Sequence, residues 1–107
     1  IFGPLGAPQY HGYAGDVLKA AQLQPNDVDL YVPHQANLRI INAAIDVLGI
    51  DRQRVFTNID RYGNTSAASV PLALDEAMAE RGIQPGQRVV LSGFGAGLAW
   101  GTLLISW

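Results

Sequence analysis

The segment from Thr65 to Glu80 constrains the fold more than any other part of this sequence. Its charged residues come late, at Asp75, Glu76 and Glu80, and apolar residues otherwise cover nearly the whole circumference of a helix: Ala67, Ala68, Val70, Leu72, Ala73, Leu74, Ala77 and Met78. Pro71 lacks a backbone donor, so we expect it to kink the first turns or to delay the regular helix. A helix that is apolar all round must be buried on all sides. The fold therefore has to cover this helix from two opposite directions.

The other predicted elements alternate between helices and strands, which is typical of a mainly parallel sheet. Periodicity and turn residues predict helix 13–23, strand 28–32, helix 35–48, strand 54–58, helix 65–80, strand 88–92, a glycine-rich hairpin connection at 93–97 and strand 98–107. The predicted class is α/β, with a mixed sheet, a C-terminal β-hairpin and a buried central helix. One sheet covers one side of that helix, so we expect the other cover from another polypeptide or a missing segment.

Composition narrows the possible functions. The 107 residues are enough for one domain, in which residues 1–12 are expected to be irregular. Only 15% of the residues are charged, compared with roughly 25% in an average soluble domain. A net charge of −2 argues against nucleic-acid binding, and zero cysteines with two histidines argue against a metal site and a cysteine nucleophile within the chain. Neither a membrane span nor a signal peptide is evident, so we expect a cytoplasmic protein.

Three places at the carboxyl ends of predicted strands could carry chemistry. His34 follows strand 28–32, Asn64 lies between strand 54–58 and the apolar helix, and the glycine-rich connection 93–97 follows strand 88–92. Ligands of alternating β/α folds bind at this edge of the sheet. A histidine and an asparagine there can both donate a hydrogen bond to one developing oxyanion, and glycines let backbone N–H groups approach a ligand. By position alone, each of these residues also suits a structural hydrogen bond, a cap or a tight turn.

Three strings in the right order give this chain a resemblance to a known family: Val32–Ile40, Gly63–Pro71 and Gly93–Gly101. Together they resemble the C-terminal half of β-ketoacyl-acyl-carrier-protein synthase III, a thiolase-fold condensing enzyme of fatty-acid synthesis. The resemblance implies that residues 13–107 form one half of a thiolase-like layered α-β-α-β-α fold. It also implies that helix 65–80 is one of two central helices between two sheets.

The resemblance implies a Cys–His–Asn triad in which His34 and Asn64 supply the last two members. An acyl group from acyl-CoA is transferred to the cysteine, and malonyl-acyl carrier protein then loses CO₂ to give an enolate that attacks it. His34 and Asn64 are expected to stabilise that enolate, while the backbone of Gly95, Ala96 and Gly97 helps to form an oxyanion hole. Ala96 stands where many relatives have glycine. No tightly bound cofactor and no metal are implied.

The resemblance also assigns the stretch after His34 to acyl carrier protein and its pantetheine arm. The residues concerned are Gln35, Ala36, Asn37, Leu38 and Arg39. Asn37 is expected to hydrogen-bond the pantetheine, and Arg39 to offer a cation to acidic groups of the carrier protein. The other expected partner is the N-terminal half of the synthase or a second copy of the chain, in a homodimer.

The absence of cysteine conflicts with the activity that the resemblance implies. We therefore expect the chain to be the C-terminal portion of a longer synthase, or a separately encoded fragment of one, and to be inactive alone, with the cysteine supplied by an N-terminal half. Two alternatives stay open. One is an acyltransferase of the same fold that does not decarboxylate its substrate, and the other is an inactive truncated fragment that dimerises.

Overall fold

The computed structural model describes residues 14–95 and 99–107. Helices are α1 (14–20), α2 (Leu38–Leu48), α3 (Ile59–Tyr62) and α4 (Ser69–Arg81), and strands are β1 (Leu30–Pro33), β2 (Arg88–Gly95) and β3 (Ala99–Ser106). Short 3₁₀ turns occupy Pro25–Asp27, Arg52–Arg54 and Ser66–Ala68. The predicted irregular segment 1–12 lies outside the described residues, as do Ala96 and Gly97. No helix among the described residues is long and apolar enough to cross a membrane.

The three strands form one sheet in the order β1-β2-β3. β1 runs parallel to β2, with Leu30 opposite Val89, and β3 returns antiparallel to β2, with Gly93 opposite Gly101. The predicted mixed sheet with an antiparallel edge is confirmed.

The predicted strand 54–58 is wrong, because only one isolated bridge, between Val55 and Tyr31, joins this segment to the sheet. The N–H of Phe56 still donates to the carbonyl of Tyr31 at 2.9 Å. The Arg81 guanidinium, however, donates to the carbonyls of Gln53 and Val55 at 2.9 and 3.0 Å. A side chain from α4 thus takes the place of a strand ladder along this segment.

Part of the predicted glycine-rich connection belongs to a strand. Gly93 and Gly95 belong to β2 and pair with Gly101 and Ala99 of β3. Glycine weakens a strand by only about 0.5–1 kcal/mol, which an antiparallel ladder can offset. The predicted boundary at Ser92 therefore falls inside the hairpin.

Both long helices begin later than the sequence pattern predicts. The Asn37 side chain accepts a hydrogen bond from the Arg39 N–H at 2.9 Å and so caps α2, which leaves Gln35 outside the helix. Gly49 ends α2 with a φ of +80°. α4 starts at Ser69 after a 3₁₀ turn, which places Pro71 in the first turn, where no intrahelical donor is lost. The expected delay at Pro71 is confirmed.

Helices pack on both faces of the sheet. α1 and α2 cover one face, where Leu18, Ile41 and Ile45 pack with Tyr31 and Val90 in one core cluster. α4 covers the other face, and its buried residues are Ser69, Ala73 and Ala77. On the rest of α4, Leu72 is 41% and Met78 40% exposed. Residues 14–95 and 99–107 therefore cover only one side of the apolar helix, in agreement with the single sheet predicted for it.

Candidate functional site

The structure brings His34, Asn64 and Gly95 together around one cavity of about 850 Å³. His34 directly follows β1, and its backbone N–H donates to the carbonyl of Ser92 in β2 at 2.7 Å. Asn64 follows α3, and Gly95 ends β2. All three lie at the edge of the sheet where the parallel strands end, as the sequence predicts.

The His34 imidazole is half-buried against an aromatic ring. The ring of Phe94 meets it edge to face, with 5.9 Å between centroids and an interplanar angle of 79°. Burial lowers the pKa of His34 from its ordinary value of 6.5, because the charged form loses hydration there. A neutral imidazole therefore predominates near neutral pH and carries one ring N–H that can donate.

Asn64 is held by a tight turn. Its Oδ1 accepts a hydrogen bond from the Ser66 N–H at 2.8 Å, and Ser66 adopts a positive φ of 54°. With Oδ1 directed at the backbone, the Nδ2 group remains as the donor that a ligand in the cavity can meet. Asn64 and His34 thus both line this cavity, and each side chain contains an N–H group.

Gly63 gives this turn its shape. Its φ of 67° with ψ of −160° is a backbone conformation that is essentially restricted to glycine, although a Cβ would meet nothing within 4 Å. We expect Gly63→Ala to lower the free energy of unfolding by about 1–3 kcal/mol through backbone strain. Thermal unfolding of the two chains measures the effect. Gly15→Ala is the matched control, because Gly15 lies in α1 with open space at its Cβ and alanine favours a helix. An equal loss of stability in both variants would contradict the strain argument.

The residues predicted to bind acyl carrier protein do not line this cavity. Asn37, Leu38 and Arg39 are exposed at the start of α2, and Ala36 is half-buried. The prediction for Gln35 needs correction, because the residue is 1% exposed and both the Nε2 and the Oε1 of its amide are hydrogen-bonded to backbone groups. Gln35 is not available to a docking partner.

Sequence reasoning missed the part of the cavity that β3 and α4 supply. Trp100, Thr102 and Leu103 line it from β3, and Val70 lines it from the first turn of α4. Trp100 lies directly opposite Phe94 in the hairpin register. The signal that could identify Trp100 is that register, which the sequence hides because Gly93 and Gly95 favour a connection over a strand. Ala96 and Gly97, predicted to form an oxyanion hole with Gly95, lie outside the described residues.

The chain is similar to known proteins over most of its length. The family of C-terminal segments of 3-oxoacyl-[acyl-carrier-protein (ACP)] synthase III matches residues 18–107. A beta-ketoacyl-[acyl-carrier-protein] synthase III of Rhodopirellula baltica is 53% identical over 94 residues, which are 88% of this chain and 27% of that protein. The crystal structure of 3-oxoacyl-[acyl-carrier-protein] synthase III from Aquifex aeolicus superposes with a TM-score of 0.91 at 42% identity, over 94% of this chain and 33% of that one.

A third similarity is to the synthase III structure from Thermus thermophilus, with a TM-score of 0.89 and 48% identity over 94% of this chain and 32% of that one. The chain thus spans a third or less of the length of each of these proteins. The superpositions confirm the predicted α/β class and its assignment to part of a thiolase-like layered fold.

Proposed function

Because the chain belongs to the 3-oxoacyl-[acyl-carrier-protein] synthase III C-terminal family, we propose that it supplies the histidine and asparagine of a condensing active site. The observation that carries this proposal is that His34 and Asn64 line one largely apolar cavity. The proposed reaction is the decarboxylative condensation of an acyl-CoA starter with malonyl-acyl carrier protein in fatty-acid synthesis. The nucleophilic cysteine comes from a segment outside this sequence, which contains none.

In the first stage of the proposed mechanism, the acyl group passes from CoA to the cysteine thiolate, and CoA leaves as the thiolate. In the second stage, the bond between the malonyl methylene carbon and its carboxylate breaks. CO₂ leaves, and the electron pair becomes an enolate on the thioester. His34 and Asn64 donate hydrogen bonds to the enolate oxygen, whose charge develops during this step. The enolate carbon then attacks the acyl-cysteine carbonyl, and the cysteine thiolate is released.

A neutral His34 suits this mechanism. An imidazole that donates one N–H to the thioester oxygen stabilises the enolate without requiring a net proton transfer. Partial burial, with the ring of Phe94 alongside, keeps the pKa of His34 low, so this form persists at neutral pH.

The proposal extends to partners and location. Asn37, Leu38 and Arg39 are exposed beside the loop that carries His34, and they are proposed to contact acyl carrier protein and its pantetheine arm. The exposed side of α4, with Leu72 and Met78, supports contact with the cysteine-bearing part of the synthase. We propose that the assembled enzyme is a homodimer in the cytoplasm, where acyl-CoA and malonyl-acyl carrier protein are its substrates.

A chimeric synthase tests the proposed function. In it, residues 18–107 of this chain replace the matching segment of the Rhodopirellula baltica synthase III, whose remaining part is proposed to supply the cysteine. We expect the chimera to release CO₂ from malonyl-acyl carrier protein and to form the β-ketoacyl product with acetyl-CoA. The 107-residue chain alone is expected to do neither, because it lacks the nucleophile.

Three results would contradict the proposal. A folded chimera that releases no CO₂ would show that His34 and Asn64 do not serve decarboxylation. Acyl transfer to an alcohol or amine without CO₂ release would favour a non-condensing acyltransferase instead. Condensation by the isolated chain would also contradict the assignment of the cysteine to another segment.

A further inference from the structure

Gln35 joins the two loops that carry His34 and Asn64, and we propose that it is the positioning residue that sets the separation of these two side chains. The inference rests on the proposed function, in which both side chains act on one oxygen. Gln35 directly follows His34, and its own side chain turns into the protein. It is a positioning residue because it touches neither the cavity nor a reacting atom.

The Gln35 side chain spans from one loop to the other with three hydrogen bonds. Its Nε2 donates to the carbonyl of Pro33 at 2.7 Å, which fixes the side chain against the end of β1. Its Oε1 accepts from the N–H groups of Asn58 and Ile59 at 3.0 and 3.2 Å. A single side chain therefore ties the loop that contains His34 to the start of α3.

The start of α3 determines where Asn64 lies. The carbonyl of Asn58 accepts from the N–H groups of Arg61 and Tyr62, and the carbonyl of Ile59 accepts from the N–H of Gly63. Asn64 is the next residue after Gly63. This one hydrogen-bonded turn is short enough that a shift at Asn58 is passed directly to Asn64.

A second contact holds the same turn from the side of α4. Asn58 is 2% exposed, and its Nδ2 donates to Oε2 of Glu76 at 3.1 Å. Glu76 also accepts from the guanidinium of Arg61 and from the hydroxyl of Tyr62. The hydrogen bonds from Tyr62 and Asn58 lower the pKa of Glu76, so the carboxylate stays charged. The turn is thus held by Gln35 on one side and by Glu76 on the other.

The chemical reason for such bracing is geometric. Two donors stabilise one enolate oxygen only if both lie at hydrogen-bond distance from the same point. A misplacement of about 1 Å, even one caused far from the reacting atoms, can cost on the order of 100-fold in rate. Linking the two loops through one buried amide removes the freedom to drift apart.

The main test is Gln35→Met in the chimeric synthase, because methionine keeps the length of the side chain and loses all three hydrogen bonds. We expect kcat for CO₂ release to fall by about 100-fold. The KM for malonyl-acyl carrier protein should change by less than about 3-fold, since Gln35 contacts no ligand.

The matched control is Arg54→Met. The Arg54 guanidinium donates to the carbonyls of Asn26 and Val28 at the other end of the sheet, so this variant loses similar tethers away from the site. It should lower the melting temperature and leave kcat within about 3-fold of the starting chimera. An unchanged kcat in folded Gln35→Met would overturn the proposal.

If Gln35→Met does not fold, a second pair of variants tests what the proposal requires, namely that CO₂ release depends on holding this turn in place. Glu76 and Glu80 lie on the same helix and both pair with Arg61, but only Glu76 holds Asn58. Glu76→Ala should lower kcat for CO₂ release by about 10-fold, whereas Glu80→Ala should not. Equal kcat values in these two variants would contradict the bracing of this turn.

A measurement that does not depend on enzyme activity tests the link between the loops separately from the proposed function. In the 107-residue chain, the side-chain amide resonances of Asn64 should shift in Gln35→Met or Glu76→Ala and stay unchanged in Arg54→Met or Glu80→Ala. An inactive starting chimera would overturn the proposed function, while these shifts would still support the link between the loops. Unshifted Asn64 resonances in both test variants would overturn the link itself.

Discussion

Removing either proposed enolate donor should nearly abolish CO₂ release from the chimeric synthase. We expect His34→Ala and Asn64→Ala each to lower kcat by about 100- to 1000-fold, the loss that follows removal of one oxyanion donor. The reason is that both N–H groups are proposed to donate to charge that exists only after the carboxylate has begun to leave. The double variant should lose much less than the product of the two single losses, because residues that act as a unit are not additive. Initial rates of CO₂ release measure all three.

A matched variant separates the donor role of Asn64 from its role in the turn. Asn64→Asp keeps an Oδ1 acceptor for the Ser66 N–H and replaces the Nδ2 donor with an oxygen. The turn should therefore survive, while the rate should fall at least as far as in Asn64→Ala because the new charge repels an enolate. If Asn64→Asp kept the full rate, Asn64 would be structural only. His34→Gln, which retains a donor, should lose less than His34→Ala.

The largest loss of stability is expected for Phe56→Ala. Phe56 is 2% exposed and packs in the core cluster between the sheet and α4, with Leu30, Val32, Ala73 and Val89. The guanidinium carbon of Arg81 lies 5.2 Å from the centre of its ring. Truncation of a buried phenylalanine costs about 3–5 kcal/mol, a large fraction of the roughly 5–15 kcal/mol that stabilise a domain of this size. Thermal or denaturant unfolding of the 107-residue chain measures it.

The loss of stability in Phe56→Ala should exceed that of an ordinary core truncation because few hydrogen bonds join the segment around Phe56 to the sheet. Only one bridge joins it to β1, so packing of Phe56 and the hydrogen bonds of Arg81 carry what a strand ladder would otherwise supply. Phe56→Leu should recover more than half of the loss, since leucine refills most of the volume. Val47→Ala, at a side chain of α2 that is 63% exposed, should change stability by less than about 0.5 kcal/mol. Similar losses from Phe56→Ala and Val47→Ala would refute this account of the core.

Much of the fold could be predicted from periodicity alone. The apolar circumference of 65–80 predicted a helix with more apolar surface than one sheet covers, and α4 has a buried side facing the sheet and an exposed side with Leu72 and Met78. The predictions that failed concern elements in which a specific side-chain hydrogen bond competes with the hydrophobic pattern. Arg81 replaces a ladder at 53–55, and the cap formed by Asn37 excludes Gln35 from α2. Such contacts depend on tertiary proximity, which a local pattern does not contain.

The candidate site was partly predictable for a similar reason. Topology places His34 and Asn64 at one edge of the sheet, because both follow segments that run in the same direction beside each other. The inward turn of Gln35 was not predictable, since its partners, Asn58 and Ile59, are more than twenty positions away along the chain. The wall contributed by Trp100 depends on strand register, which the glycines at 93 and 95 obscure.

The two glycines that face each other in the hairpin allow the depth of the cavity to change independently of its polar side chains. Gly93 and Gly101 lie opposite each other and both line the cavity, so a stretch of its floor is bare backbone. A Cβ on Gly93 would come no closer than 3.9 Å to Val70, and a Cβ on Gly101 would meet nothing within 4 Å. Alanine at either position would therefore raise the floor by the reach of one methyl group while leaving the imidazole and the amide where they are. Alanine at one and then at both of these neighbouring positions would therefore reduce, in steps, the cavity volume that is available to a ligand.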